Sequence, residues 1–112
     1  MKTIFRTSLS LLLLCLLGAA EKGYGQEVKP GTVLWEFNAG SKIQSSPALG
    51  IDETIYVGAR DVLYALNKNG TAKWVFKINS TGKTIESTPA ISRDGTVYVG
   101  SHNNLYAINP NG

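Results

Sequence analysis

An internal repeat of 42 residues constrains this chain more than any other feature of its sequence. The segment SSPALGIDETIYVGARDVLYALNKNG at 45–70 aligns without gaps with STPAISRDGTVYVGSHNNLYAINPNG at 87–112. Trp35 and Trp74 are only 39 residues apart, so a three-residue insertion lies between the copies, in the polar stretch 79–84, which is predicted to be a loop. The chain is therefore built from copies of one supersecondary unit that stack on each other.

Each copy has the composition of short β-strands. Branched and aromatic residues bounded by turn residues form the segments TIYVG at 54–58 and VLYAL at 62–66, which recur as TVYVG at 96–100 and LYAI at 105–108. The dipeptides Asn69-Gly70 and Asp94-Gly95 favour two-residue hairpins, because both residue types accept positive backbone angles. The sequence predicts an all-β fold of antiparallel neighbours.

These strands are apolar on both faces. Ile55, Tyr56 and Val57 are consecutive apolar residues, whereas a sheet with one solvated face alternates between apolar and polar side chains. Small sheets that are covered on both faces and repeat at about 40 to 50 residues are typical of the blades of a β-propeller. A propeller closes with about four to eight blades, so this chain is predicted to form only part of one.

The first twenty residues have the three parts of a secretory signal. Lys2 and Arg6 precede the apolar run 9–17, which ends in Gly18, Ala19 and Ala20. We predict a signal peptide at 1–20, with cleavage after Ala20 or, alternatively, after Gly25. A linker at 21–32 and the repeats at 33–112 follow.

Several consequences follow for the mature chain. We expect it to be secreted, in the periplasm or cell envelope, with no membrane span. Cys15 as a lipid-attachment residue is a weaker alternative, because Leu14 precedes it. Loss of 1–20 removes the single cysteine, which excludes disulfides and thiolate chemistry. Without Lys2 and Arg6 the formal charge falls from +3 to +1, which argues against nucleic acid as a partner.

The polar residues suggest no catalytic or metal site. His102 is the only histidine, and Asp52, Glu53, Asp61 and Asp94 lie at or near predicted turns, where solvated side chains are expected. Zinc and copper sites need several converging nitrogen or sulfur ligands. We therefore assign no catalytic, cofactor-binding or metal-ligating residue.

The repeated motifs resemble the pyrroloquinoline-quinone (PQQ) type of propeller repeat. The matching elements of the first copy are SSPA at 45–48, IYVG at 55–58, LYALN at 63–67, Gly70 and Trp74, and those of the second are STPA at 87–90, VYVG at 97–100, LYAIN at 105–109 and Gly112. The resemblance implies about two four-stranded antiparallel blades. Blade one is expected at about 45–78, and an incomplete blade two, lacking its outermost strand, at about 87–112.

The same resemblance bears on cofactors. Quinoprotein dehydrogenases of this fold imply a catalytic Asp, calcium ligands and often a cysteine pair against the quinone. The turn between Ala65 and Gly70 is one residue shorter than theirs and is similar to that of a non-enzymatic branch, which includes an outer-membrane assembly lipoprotein. PQQ is therefore not expected on this chain.

Six residues are predicted to be structural and to dock one blade on the next. The aromatic residues are placed on one face of an outer strand, where their rings fill the seam between blades, and the glycines end strands where a side chain would obstruct a neighbour. The six are Trp35, Phe37, Trp74, Phe76, Gly58 and Gly100.

Three functions remain open at this stage. The first is a non-catalytic scaffold that binds an unidentified protein or small molecule. The alternatives are a fragment of a PQQ-dependent dehydrogenase and a homo-oligomeric, lectin-like propeller. We expect the chain to be the leading piece of a longer propeller. The alternative is that several copies assemble, each lending its Trp35 strand to a neighbour's unfinished blade.

Overall fold

The computed structural model describes residues 27–112. The chain divides into two units, 1–34 and 35–112. In the first, residues 27–34 contain a turn in which the Thr32 amide donates to the Lys29 carbonyl at 3.1 Å. The predicted signal peptide at 1–20 and the cleavage sites lie outside the described residues.

The second unit consists of two antiparallel sheets. The first sheet, called blade one, has the order β1-β2-β3-β4, and the second, called blade two, has the order β5-β6-β7. The strands are β1 (Ala48–Leu49), β2 (Ile55–Ala59), β3 (Val62–Leu66), β4 (Ala72–Lys77), β5 (Ala90–Ile91), β6 (Val97–Ser101) and β7 (Asn104–Ile108). The all-β prediction is confirmed, with four strands in blade one and three in blade two.

The cross-strand register assigns the side chains of each blade to two faces. Tyr56 lies opposite Ala65 and Gly58 lies opposite Leu63, so these four residues share one side of the pleat. We call this side the forward face and the other side the rear face. The forward face of blade two carries the equivalent residues Tyr98, Gly100, Leu105 and Ala107.

The hydrophobic core lies between the two blades. Tyr56 and Leu63 from the forward face of blade one belong to the same buried cluster as Val97 and Val99 from the rear face of blade two. Ile85, which precedes β5, is fully buried in this cluster. Burial of each such side chain stabilises the fold by about 1.5 to 3 kcal/mol, so the contact between blades is a main source of stability.

The hairpin prediction at Asn69-Gly70 and Asp94-Gly95 is wrong in its turn type. Gly70 has φ 88° and Gly95 has φ 90°, but neither preceding residue has a positive φ. Instead, the side chains of Asn69 and Asp94 accept hydrogen bonds from the amides two residues on, at 3.1 Å. Each loop therefore has five residues, with only its glycine in the left-handed region.

Glu53 occupies the left-handed position of the equivalent turn between β1 and β2. Its φ is 68°, and Gly95, 42 residues later, has φ 90°. A residue with a Cβ is strained there by about 1 kcal/mol, and the exposed ion pair of Glu53 with Lys68 at 3.1 Å offsets little of this. We expect Glu53→Gly to raise the free energy of unfolding by about 1 kcal/mol, measured by urea denaturation. Gly95→Glu is the matched control and should lower it. A loss of stability in Glu53→Gly contradicts the prediction.

The outer strand predicted at Trp35 is absent. Residues 35–39 are in no strand, and β4, which carries Trp74, is the only outer strand among the described residues. A strand needs ladder partners for its backbone groups, and no described strand lies beside residues 35–39. Trp35 therefore contacts blade one, through its hydrogen bond to the Lys68 carbonyl, without being part of a strand.

Candidate functional site

The two tryptophans make the same contact on successive blades. The indole Nε1 of Trp35 donates to the Lys68 carbonyl, and that of Trp74 donates to the Pro110 carbonyl, each at 2.9 Å. The rings lie over Gly70 and Gly112, where an added Cβ would approach ring atoms to 2.6 and 2.9 Å. Each tryptophan thus covers the last turn of the blade that follows it.

The phenylalanines follow the same arrangement. Phe37 packs on Tyr64 with ring centroids 5.0 Å apart, and Phe76 packs on Tyr106 at 5.9 Å. Both distances are in the range of favourable aromatic pairs. Four of the six sequence-selected residues therefore contact the rear face of the next blade or its last turn.

The remaining two, Gly58 and Gly100, are each held by a serine that the sequence analysis did not select. Ser45 Oγ accepts from the Gly58 amide at 2.7 Å and donates to its carbonyl at 3.1 Å. Ser87 makes the same pair of bonds to Gly100, at 2.9 and 3.0 Å. The repeated Ser-x-Pro-Ala motif was the signal that could have identified these serines.

The turn carboxylates are stabilised in their charged form. The pKa of Asp52 is lowered from 3.8 to about 2, first by hydrogen bonding to the Thr54 side chain and then by the Lys73 ammonium, whose Nζ lies 3.1 Å from Asp52 Oδ2. The pKa of the equivalent Asp94 is also lowered, chiefly by the Ser92 hydroxyl. Both aspartates serve the geometry of their turns.

These bonds predict a pH dependence. Because the pKa of Asp52 is lower in the folded chain, its contribution to stability is complete above pH 4 and is lost as the pH falls toward 2. We expect its carboxyl resonance to titrate with a pKa of about 2. Thr54→Val should move the midpoint toward the ordinary value of 3.8, whereas Lys83→Gln, at a lysine at the opposite end of the blades, should leave it in place. A carboxyl that titrates near 3.8 in the unaltered chain contradicts the assignment.

An open polar cleft lies at the opposite end of the blades from these turns. It has a volume of about 500 Å³ and brings together the β2–β3 turn, the end of β4 and the inserted loop after it. Its lining residues are Arg60, Asp61, Lys77, Ser80, Thr81, Gly82, Lys83 and Thr84. The loop that the sequence analysis recognised only as an insertion therefore forms one wall of this cleft.

Positive charge dominates the cleft. Its three cations face one carboxylate, with Lys77 Nζ 3.8 Å from Asp61 Oδ2. Lys83 Nζ donates to Asn104 Oδ1 at 3.2 Å, which holds the loop against blade two. Among the described residues Arg60 has no ion-pair partner within 4.0 Å. The cleft can therefore attract an anionic group.

Within 27–112, no three His, Cys, Asp or Glu side chains lie close enough together to hold a metal ion. That part of the chain also has no helix with the length and apolar character needed to cross a bilayer. The absence of PQQ and of catalytic residues stays a prediction.

Comparison with curated proteins gives no match. Comparison with protein families agrees with the resemblance in the repeated motifs and with the two antiparallel sheets. The match runs from residue 19 to residue 112 and so includes both blades and the Trp35 segment. The chain therefore belongs to the PQQ-repeat family described as outer membrane protein assembly factor BamB.

Proposed function

We propose that this chain is a secreted protein of the cell envelope that acts as a non-catalytic binding scaffold, with the polar cleft at 60–84 as its contact surface. The observation that carries the proposal is that Arg60, Lys77 and Lys83 surround one carboxylate at the end of blade one that carries the β2–β3 turn. The two blades supply a rigid support, and the turns and the inserted loop supply the contacts.

The charge of the cleft indicates the chemistry of the partner. Three cations on short turns and a strand end favour an acidic surface or an acidic peptide segment, because complementary charge speeds encounter and excludes basic competitors. Arg60 suits this role best, since its guanidinium presents several donors to one carboxylate.

Two observations support the compartment. The sequence predicts a signal peptide at 1–20, and the family name refers to the assembly of outer membrane proteins. We therefore propose that the partner is an acidic segment of a protein of that assembly apparatus. PQQ takes no part in this function.

The test is direct binding of the purified full chain to immobilised components of an outer membrane protein assembly apparatus. We expect the double variant Arg60→Glu/Lys83→Glu to bind about tenfold or more weakly, which corresponds to about 1.4 kcal/mol. The matched control is Lys68→Glu/Arg93→Glu, which makes the same change in charge in exposed turns at the other end of the blades. This control should bind within twofold of the unaltered chain.

The exchanged side chains are not in the core, so we expect each variant to keep its strands. Circular dichroism checks this. Equal weakening by both double variants indicates only a general dependence on net charge and overturns the assignment to the cleft. Absence of binding to every component overturns the scaffold proposal itself.

A further inference from the structure

The polar cleft adjoins a second cleft, and the two share Arg60. The second cleft has a volume of about 340 Å³ and is bounded by the segment that enters blade one and the loop that enters blade two. Its lining residues are Gly40, Ser41, Lys42, Gln44, Arg60 and Thr84. Arg60 and Thr84 also line the polar cleft, so these two residues form a wall common to both clefts. The nearby Glu86 accepts from the Thr84 hydroxyl at 2.9 Å and lines neither cleft.

Positive charge lies on both sides of this common wall. The only carboxylate among the lining residues, Asp61, pairs with Lys77 at 3.8 Å. Lys83 in the polar cleft and Lys42 in the second cleft have no ion-pair partner in the described part of the chain, and neither has Arg60 between them. Each of the two clefts can therefore attract one anionic group.

Arg60 holds its position in a backbone conformation that favours glycine. β2 and β3 are joined by the two residues Arg60 and Asp61. Arg60 has φ 58° and Asp61 has no positive φ, and in a two-residue turn of this kind the first position is usually glycine. The Ile85 amide donates to the Arg60 carbonyl, so the following loop holds the turn in this conformation. The fold therefore requires the turn but not the arginine side chain.

We propose that Arg60 selects the acidic partner by binding two carboxylates of one extended peptide, one from each cleft. This inference rests on the proposed function, which places an acidic segment in the polar cleft. A guanidinium has five N–H donors in a fixed fork, so it can donate to two carboxylates at once. Lys83 then faces the carboxylate in the polar cleft, and Lys42 faces the one in the second cleft.

The arrangement specifies the spacing of acidic residues in the partner. In an extended peptide, residues i and i+2 point to the same side and are about 7 Å apart, whereas adjacent residues point to opposite sides. The wall at Arg60 is one side chain wide, so two acidic residues separated by one other residue can enter the two clefts together. Two adjacent acidic residues cannot do so, although they carry the same charge.

The first test is NMR titration of the purified full chain with two end-blocked peptides of identical composition. The alternating peptide is Gly-Ser-Glu-Ser-Glu-Ser-Gly, and the adjacent peptide is Gly-Ser-Ser-Glu-Glu-Ser-Gly. We expect the alternating peptide to bind about tenfold more tightly, because it gains a second charged hydrogen-bonded contact. Its binding should shift the amide resonances of both 40–44 and 80–84.

Arg60→Gly separates the binding role of the side chain from the requirements of the turn. Glycine suits the positive φ, so the ratio of folded to unfolded chain should rise about fivefold in urea denaturation, whereas the preference for the alternating peptide should disappear. Arg60→Lys keeps the charge without the fork and should also lose most of the preference. Glu53→Gly is the matched control, because it relieves a φ of 68° at the other end of the blades and should keep the preference.

Lys42→Gln tests the second cleft separately. It removes the cation that faces the second carboxylate, so the alternating peptide should bind only as weakly as the adjacent peptide does. Lys68→Gln makes the same change in charge at an exposed turn at the other end of the blades and should leave the preference unchanged.

Several results would overturn the proposal. Two are equal affinities of the unaltered chain for the two peptides and binding of neither peptide at millimolar concentration. Others are a loss of stability in Arg60→Gly and a preference that survives this substitution. If Arg60→Glu/Lys83→Glu loses binding to an assembly component but the unaltered chain does not distinguish the peptides, the proposed function stands and selection by Arg60 is wrong.

Discussion

Leu63→Ala is expected to lower the free energy of unfolding by about 3 kcal/mol. The side chain is fully buried between the blades, in the same cluster as Ile85 and Val97. Its truncation removes apolar burial and leaves a cavity that the two sheets cannot close. Denaturant unfolding followed by tryptophan fluorescence measures the change, because Trp74 packs against the same cluster.

Leu105→Ala is the matched control at the equivalent position of blade two. Its side chain is 74% exposed, so the loss should stay within about 0.5 kcal/mol. Equal losses of stability at the two positions would contradict the difference in burial between Leu63 and Leu105.

Gly58→Ala is the second large effect. The new Cβ would lie 2.4 Å from Ile85 Cγ2 and 2.9 Å from Ile85 Cβ. Because Ile85 is fully buried, it cannot move away without disturbing the core, and overpacking of this kind costs about 1 to 3 kcal/mol. We expect a loss at the upper end of that range, measured by urea denaturation.

Gly100→Ala is the same substitution at the equivalent position of blade two, where no isoleucine packs against the glycine. The nearest atom to its new Cβ is Ser87 Oγ at 3.4 Å, an ordinary contact, so the monomer should lose less than about 0.5 kcal/mol. If Gly58→Ala is as mild as Gly100→Ala, Ile85 is not held where the structure places it.

These paired substitutions share one physical reason. The repeat puts the same residue types on the same faces of both blades, but burial depends on what lies across the face. Leu63 and Leu105 have the same local sequence environment, Leu-Tyr-Ala, and differ in exposure from 0% to 74%. A stability estimate from sequence motifs alone would treat them as equal.

Local sequence predicted the strands well and the turns less well. β2, β3, β6 and β7 lie within two residues of the apolar segments selected from the sequence, because branched and aromatic residues suit a sheet covered on both faces. The turn type predicted at Asn69-Gly70 was wrong because the Asn69 side chain accepts a hydrogen bond from the Thr71 amide, and this bond competes with the left-handed conformation at Asn69. A dipeptide preference does not include that competitor.

The cleft was beyond the reach of sequence reasoning. Arg60 and Lys83 are 23 residues apart, and Arg60 belongs to a turn of blade one whereas Lys83 belongs to the loop between blades. They line one cleft because the Ile85 amide bonds the Arg60 carbonyl, which brings that loop onto the turn. No spacing rule connects such positions.

The sequence by itself determined the unit: its 42-residue period, its antiparallel strands and the family to which it belongs, because these depend on local composition and on the pattern of one copy compared with the other. Only the tertiary structure decided which copy of each residue is buried, that Trp35 docks without a strand, and that three cations meet at one end of the blades. Those outcomes depend on contacts between residues that are distant in sequence, and the local residue pattern of either copy does not predict such contacts.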